Sequence, residues 1–101
     1  MVEMNEKSAT IDDIKVGDHI AIEKTISESD VYQFAGITGD FSPNHINERY
    51  MKGSMYKTRI AQGALVVGFT SAAAAMFGIR HGINGVAAGY DHLRFLGPVF
   101  F

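Results

Sequence analysis

A single α+β domain is the fold class that the sequence predicts. Three observations predict it. The chain has 101 residues, enough for one domain and too few for two. Residues 60–79 carry no charge and have a helical composition. Two segments, 19–26 and 86–96, alternate in polarity as strands do. An apolar fraction of 47% with 20% charged residues is ordinary for a globular protein.

Taken in order, residues 1–8 read as a frayed polar end. Ile11, Ile14 and Val16 lead into Gly17-Asp18, a turn signal. Residues 19–26 read as a strand. Ser27 is placed to cap a short helix, with Glu28 and Asp30 in its first turn, where negative charge favours the helix dipole. Val31, Phe34 and Ala35 give that helix one apolar face. Residues 36–44 hold two glycines, a proline and small polar groups, and read as a loop. A short helix is expected within 46–52 and a second loop at 53–59. The uncharged stretch then forms a helix of about four turns, from near Gln62 to Phe77, with Gly78 as its left-handed terminator. Residues 86–96 read as the second strand, with Leu93 and Phe95 on one face and His92 and Arg94 on the other, until Pro98 breaks it.

Two further expectations concern the long helix. Its length would span a bilayer, yet three glycines, Gln62, Thr70, Ser71 and the alanines 72–75 make it only weakly apolar, so it reads as the buried centre of a domain rather than a membrane span. Two strands cannot cover such a helix. The chain also stops on an apolar Val99-Phe100-Phe101. The expectation is therefore a domain cut short at its C-terminal side, or one completed by another chain.

Composition narrows function. A net charge of −2 without a basic run gives no footprint for nucleic acid or an anionic membrane surface. The absence of cysteine removes disulfides, thiolate metal sites and thiol nucleophiles, and it is compatible with a cytoplasmic setting. The first thirteen residues resemble neither a signal nor a transit peptide. His19, His81 and His92 are too scattered to suggest a metal site.

The chemically informative stretch is Thr38-Gly39-Asp40-Phe41-Ser42-Pro43-Asn44-His45. Glycine before the acid permits a tight path, and proline stiffens the return. Asp40 and His45 can then converge on one water, as acid–base hydration requires. The same residues are also ordinary turn chemistry, with His45 capping the next helix. The second stretch is Ala61-Gln62-Gly63-Ala64. First-turn amides are unpaired, and Gly63 leaves one of them open to a thioester oxygen, or it serves only close packing. Lys52, Lys57 and Arg59 form a loose basic cluster, either a solvated loop or a phosphate contact. His92 with Arg94 invites the same pair of readings. Met51, Met55 and Met76 read as packing.

Together these residues resemble the MaoC-like, or (R)-specific enoyl-CoA hydratase, family. The matching run is Phe34, Ala35-Gly36, Ile37, Thr38, Gly39-Asp40, Phe41, Ser42, Pro43, Asn44, His45. It continues through Gln62-Gly63, the alanine-rich helix and Arg94-Phe95-Leu96-Gly97-Pro98-Val99, so the resemblance covers about Val16 to Phe101. It implies a hot dog fold, a long central helix wrapped by a curved antiparallel sheet. It implies Asp40 and His45 as catalytic pair, Gly63 as oxyanion N–H and Ser71 near the pair. Water would add syn to a trans-2-enoyl thioester, or leave in reverse. The resemblance implies no metal and no redox cofactor, coenzyme A or an acyl carrier protein as part of the substrate, and a homodimer. Ser42 departs from the usual asparagine, and Asn44 from an aliphatic residue, which suggests Asn44 as a substrate contact for a short or polar acyl group. Met51 stands where a small residue is usual and Gln62 where many relatives have histidine. An acyl thioesterase is the rival within the fold, weakened because no acid lies between Gln62 and Phe77. A non-catalytic acyl-thioester-binding or assembly subunit is the rival outside enzymology.

Overall fold

The computed structural model describes residues 10–101; the expected frayed end, 1–8, lies outside them. The chain divides into two compact units. One combines Lys24–Gly68 with Leu93–Phe101, and the other joins the described part of Met1–Glu23 to Phe69–His92.

The first unit is built from short helices with well-made ends. Helix α1, Glu28–Thr38, starts where predicted. The Ser27 hydroxyl accepts from the Asp30 amide, and the Asp30 carboxylate accepts from the Ser27 amide at 2.9 Å, a reciprocal capping box. Three more residues are helical than the sequence suggests, because Gly39 takes a left-handed φ of 82° and its amide closes on Ala35 O at 2.8 Å. The expected single helix within 46–52 is two, α2 (Pro43–Ile46) and α3 (Glu48–Met51). Pro43 opens α2 without wasting an amide. The break falls at Asn47, whose Oδ1 accepts from Tyr50 N at 2.9 Å and restarts the helix. Val31, Ala35, Met51 and Ala61 are the buried apolar residues of this unit, joined by the buried amide of Gln62. Met51 packs as expected; Met55 does not, being 84% exposed.

Helix α4, Gly63–His81, is the long uncharged helix. The division between the units falls within it, between Gly68 and Phe69. It runs past Gly78, the expected terminator. Gly82 ends it instead, at φ 69°, with Gly82 N bonding to Ile79 O at 3.3 Å and Ile83 N to Gly78 O at 2.8 Å. That pair of bonds is a Schellman ending. In the same unit the rings of Phe77 and His81 stack one turn apart, with centroids 4.2 Å from each other. Near the start of this unit the expected turn forms, with Asp18 N bonding to Lys15 O at 3.0 Å.

The sheet is the part of the expectation that the described residues do not carry. None of residues 10–101 lies in a strand, and no residue of α4 is buried. A strand exists by its ladder to a neighbour about 4.8 Å away, and neither 19–26 nor 86–96 has one. The latter is also bent at Asp91 and His92, where His92 takes φ 57°. The shared strand face expected for His92 and Arg94 is therefore absent. By length and composition alone α4 is apolar enough to cross a membrane.

Candidate active site

The acid and the histidine of the 38–45 loop do converge. Asp40 Oδ2 lies 3.7 Å from His45 Nε2. The backbone brings them there through a series of small closures. The Thr38 hydroxyl donates to Phe34 O at 2.8 Å and accepts from Asp40 N at 3.2 Å. Asp40 Oδ1 accepts from Ser42 N at 3.3 Å, and His45 N donates to Ser42 O at 3.0 Å. His45 is thus inside α2 rather than capping it. At 3.7 Å the two polar ends are too far apart for a direct hydrogen bond, and close enough to share one water molecule.

His45 has a fixed tautomer. Its Nδ1 lies 2.8 Å from Ile60 O. A carbonyl oxygen only accepts, so Nδ1 carries the proton in the neutral ring, and Nε2, facing Asp40, is the basic nitrogen. The histidine side chain is 12% exposed and the aspartate 45%. One member is held in the protein and the other meets solvent.

Gly63 is the first residue of α4. The helix opens with Val66 N on Gln62 O at 3.2 Å, which leaves the Gly63 amide among the unpaired first-turn donors. Glycine leaves room here for the Phe95 ring. A Cβ at this position would lie 2.7 Å from Phe95 Cζ. His45, Gly63 and Phe95 line one cavity of about 420 Å³, with Tyr56, Ile60 and Leu96 also in its wall. The histidine, the helix start and the apolar ring therefore face a common space.

The remaining expected residues do not line this cavity. Asn44 is exposed, and its side chain does not line the cavity. Its backbone carbonyl instead accepts from Ile60 N at 3.0 Å. Ser71 belongs to the other unit, where it lines a cavity of about 770 Å³ with Ala74, Phe77 and Tyr90. Arg59 is not available to a phosphate. It pairs with Glu28 at 2.7 Å and Glu48 at 3.2 Å, donates to the Tyr32 hydroxyl at 2.6 Å, and lies over the Phe101 ring at 5.1 Å. These hydrogen bonds, that to Glu28 foremost, raise its pKa further. Among the described residues no group of three or more His, Asp or Glu could hold a metal ion.

Sequence reasoning missed the Ile60 carbonyl, because a backbone acceptor leaves no side-chain signal. It also missed Phe95 against Gly63, for which Gly63 alone hinted at a close neighbour.

The chain matches the model of the MaoC like domain over residues 13–101. The chain belongs to the MaoC-like domain family. It is 44% identical over 88 residues to an "(R)-specific enoyl-CoA hydratase" of Rhodospirillum rubrum, covering 87% of this chain and 59% of that protein. It is 39% identical over 90 residues to a "3-hydroxybutyryl-CoA dehydratase" of Methylorubrum extorquens, covering 87% of this chain and 54% of that one. This MaoC-like chain therefore spans little more than half the length of these curated relatives. Among solved structures it resembles a "Monoamine oxidase regulatory protein" from Archaeoglobus fulgius, with a TM-score of 0.82, 29% identity, and coverage of 96% of this chain and 66% of that one. Family and structural likeness together imply the hot dog fold, of which this MaoC-like chain carries the long helix.

Proposed function

We propose that this MaoC-like chain carries the acid–base half-site of an (R)-specific enoyl-thioester hydratase or dehydratase. The observation that carries the reading is the Asp40–His45 approach of 3.7 Å, with His45 Nδ1 held by Ile60 O at 2.8 Å. The names of the two curated relatives support the same chemistry.

In this mechanism Asp40 and His45 Nε2 both accept from one water and aim its oxygen at C3 of a trans-2-enoyl thioester. As the O–C3 bond forms, one of the pair takes a water proton. The C2–C3 π electrons move to the thioester oxygen, where the Gly63 N–H stabilises the negative charge. A proton returned from the same side to C2 completes syn addition, and the reverse path releases water. Nothing is oxidised or reduced, so the reading calls for no redox cofactor. It also uses no metal. Coenzyme A or an acyl carrier protein is part of the substrate in this reading, and a homodimer in the cytoplasm is its setting. Helix α4 is read as a domain helix and not a membrane span, because the family match runs through it. A thioesterase is disfavoured because α4 carries no acid.

The test follows the enoyl-thioester absorbance of crotonyl-CoA on adding the purified chain. Loss of the band with formation of (R)-3-hydroxybutyryl-CoA is expected. Formation of the (S) product, or release of free coenzyme A in place of hydration, overturns the proposal.

A further inference from the structure

We propose that Glu48 is a positioning residue for His45: by gripping Thr58 and Arg59 it fixes the Ile60 carbonyl that holds His45 Nδ1, and so keeps Nε2 facing Asp40. The inference rests on the acid–base reading of Asp40 and His45.

Glu48, the first residue of α3, lies outside the cavity and touches none of the reacting groups. Its carboxylate is nevertheless fully engaged with the segment leading to Ile60. Oε2 accepts from the Thr58 hydroxyl at 3.0 Å and from Arg59 Nε at 3.2 Å. Oε1 accepts from the Arg59 backbone amide at 3.3 Å. Arg59 in turn is anchored at its other end by Glu28 and Tyr32. Ile60 follows directly. Its amide donates to Asn44 O at 3.0 Å, and its carbonyl accepts from His45 Nδ1 at 2.8 Å.

Asn44-His45 thus holds Ile60 by both backbone groups, while Glu48 holds the two residues before it. Without the second grip, residues 58 and 59 can shift and draw the Ile60 carbonyl off Nδ1. The second grip ties the segment to α3 and, together with the Ala61 N–H of the same peptide plane donating to Val99 O at 2.8 Å, sets the direction of the carbonyl. The Glu48 pKa is lowered, first by the Thr58 hydrogen bond and then by those from Arg59, so the carboxylate stays charged and accepting. Histidine tautomer and orientation are set by the partner of the other ring nitrogen. In this molecule that partner is a backbone atom, and Glu48 is the side chain that steadies the residues leading into it.

The test is ¹⁵N NMR of the imidazoles in the whole chain, with His45 assigned by its loss in His45→Gln, alongside hydration kinetics. Unsubstituted protein is expected to show His45 as the Nδ1–H tautomer. Glu48→Ala is expected to give a mixture of tautomers and to lower kcat by roughly 10- to 100-fold, the size of losing an orienting partner, with KM little changed. Thr58→Val, which removes one of the three donors and no charge, is expected to shift both readouts in the same direction by less. It replaces Glu48→Ala if that variant does not fold. A folded Glu48→Ala, or Thr58→Val in its place, that keeps a pure Nδ1–H tautomer overturns the inference. The tautomer is read without turnover, so a chain lacking hydratase activity would sink the functional proposal while this readout still decided the role of Glu48.

Discussion

The segment from Ser27 to Ala61 and the helix α4 are held by opposite means. In the first, helix ends and turns close on named polar partners: Ser27 with Asp30, Thr38 with Phe34 and Asp40, Asn47 with Tyr50, Glu48 with residues 58 and 59. Val31, Ala35 and Met51 are buried beneath them. In α4, a nineteen-residue helix that ends at Gly82, no residue is buried. The difference teaches where the chemistry is self-sufficient. The acid, the histidine and the histidine's orienting carbonyl all lie in the polar segment, and α4 contributes to that site chiefly its first turn.

The largest expected effects therefore fall in the polar segment. His45→Ala and Asp40→Asn should each lower hydration of crotonyl-CoA by about 10²- to 10⁴-fold, with circular dichroism unchanged. Near-normal turnover in either variant would break the comparison at its centre. Gly63→Ala tests the first turn of α4, where the helix joins the site. Its methyl would meet the Phe95 ring at 2.7 Å, so activity should fall, and Gly63→Ala with Phe95→Leu should recover part of it. No recovery would show that the glycine serves something other than space for that ring.

Smaller effects on stability sharpen the contrast. Gly82→Ala forces a side chain into a left-handed backbone, which costs about 1–2 kcal/mol; the loss of helical signal on heating should come earlier. Ser27→Ala removes a cap worth about 1 kcal/mol, read as a lower urea midpoint. The pH dependence is the mildest. Asp30 is lowered in pKa, chiefly by the Ser27 backbone hydrogen bond and then by Lys24, and Glu48 by its Thr58 bond. A depressed carboxylate adds stability that is full above the ordinary carboxylate pKa and is lost as pH falls through the lower folded value. Thermal unfolding should therefore be steady near neutrality and decline in acid, with a shallower decline in Asp30→Asn.

Local signals were legible in the sequence to the extent that their cause was local. Ser27 and Asp30 announced α1, the 38–45 loop announced the meeting of Asp40 and His45, and the uncharged run announced α4. Gly78 misled because a glycine in a helix is a terminator only if the next turn cannot continue; here Gly82 takes that place. The strands at 19–26 and 86–96 were read from alternation, which reports a face and not a partner, and a ladder needs the partner. Arg59 looked like a free cation because its acceptors, Glu28 and Glu48, are distant in sequence.

The contact between Gly63 and Phe95 has a consequence for how such a sequence can drift. The two positions form one steric unit, since the ring occupies the volume that any larger residue at 63 would need. A smaller residue at 95 makes room by itself, whereas a larger one at 63 needs the ring reduced or moved, so the favoured order is to shrink position 95 before enlarging position 63. A lineage following the opposite order would press the new side chain against the ring. Sequence change across this pair is thus directional, a ratchet set by the dimensions of one phenyl ring.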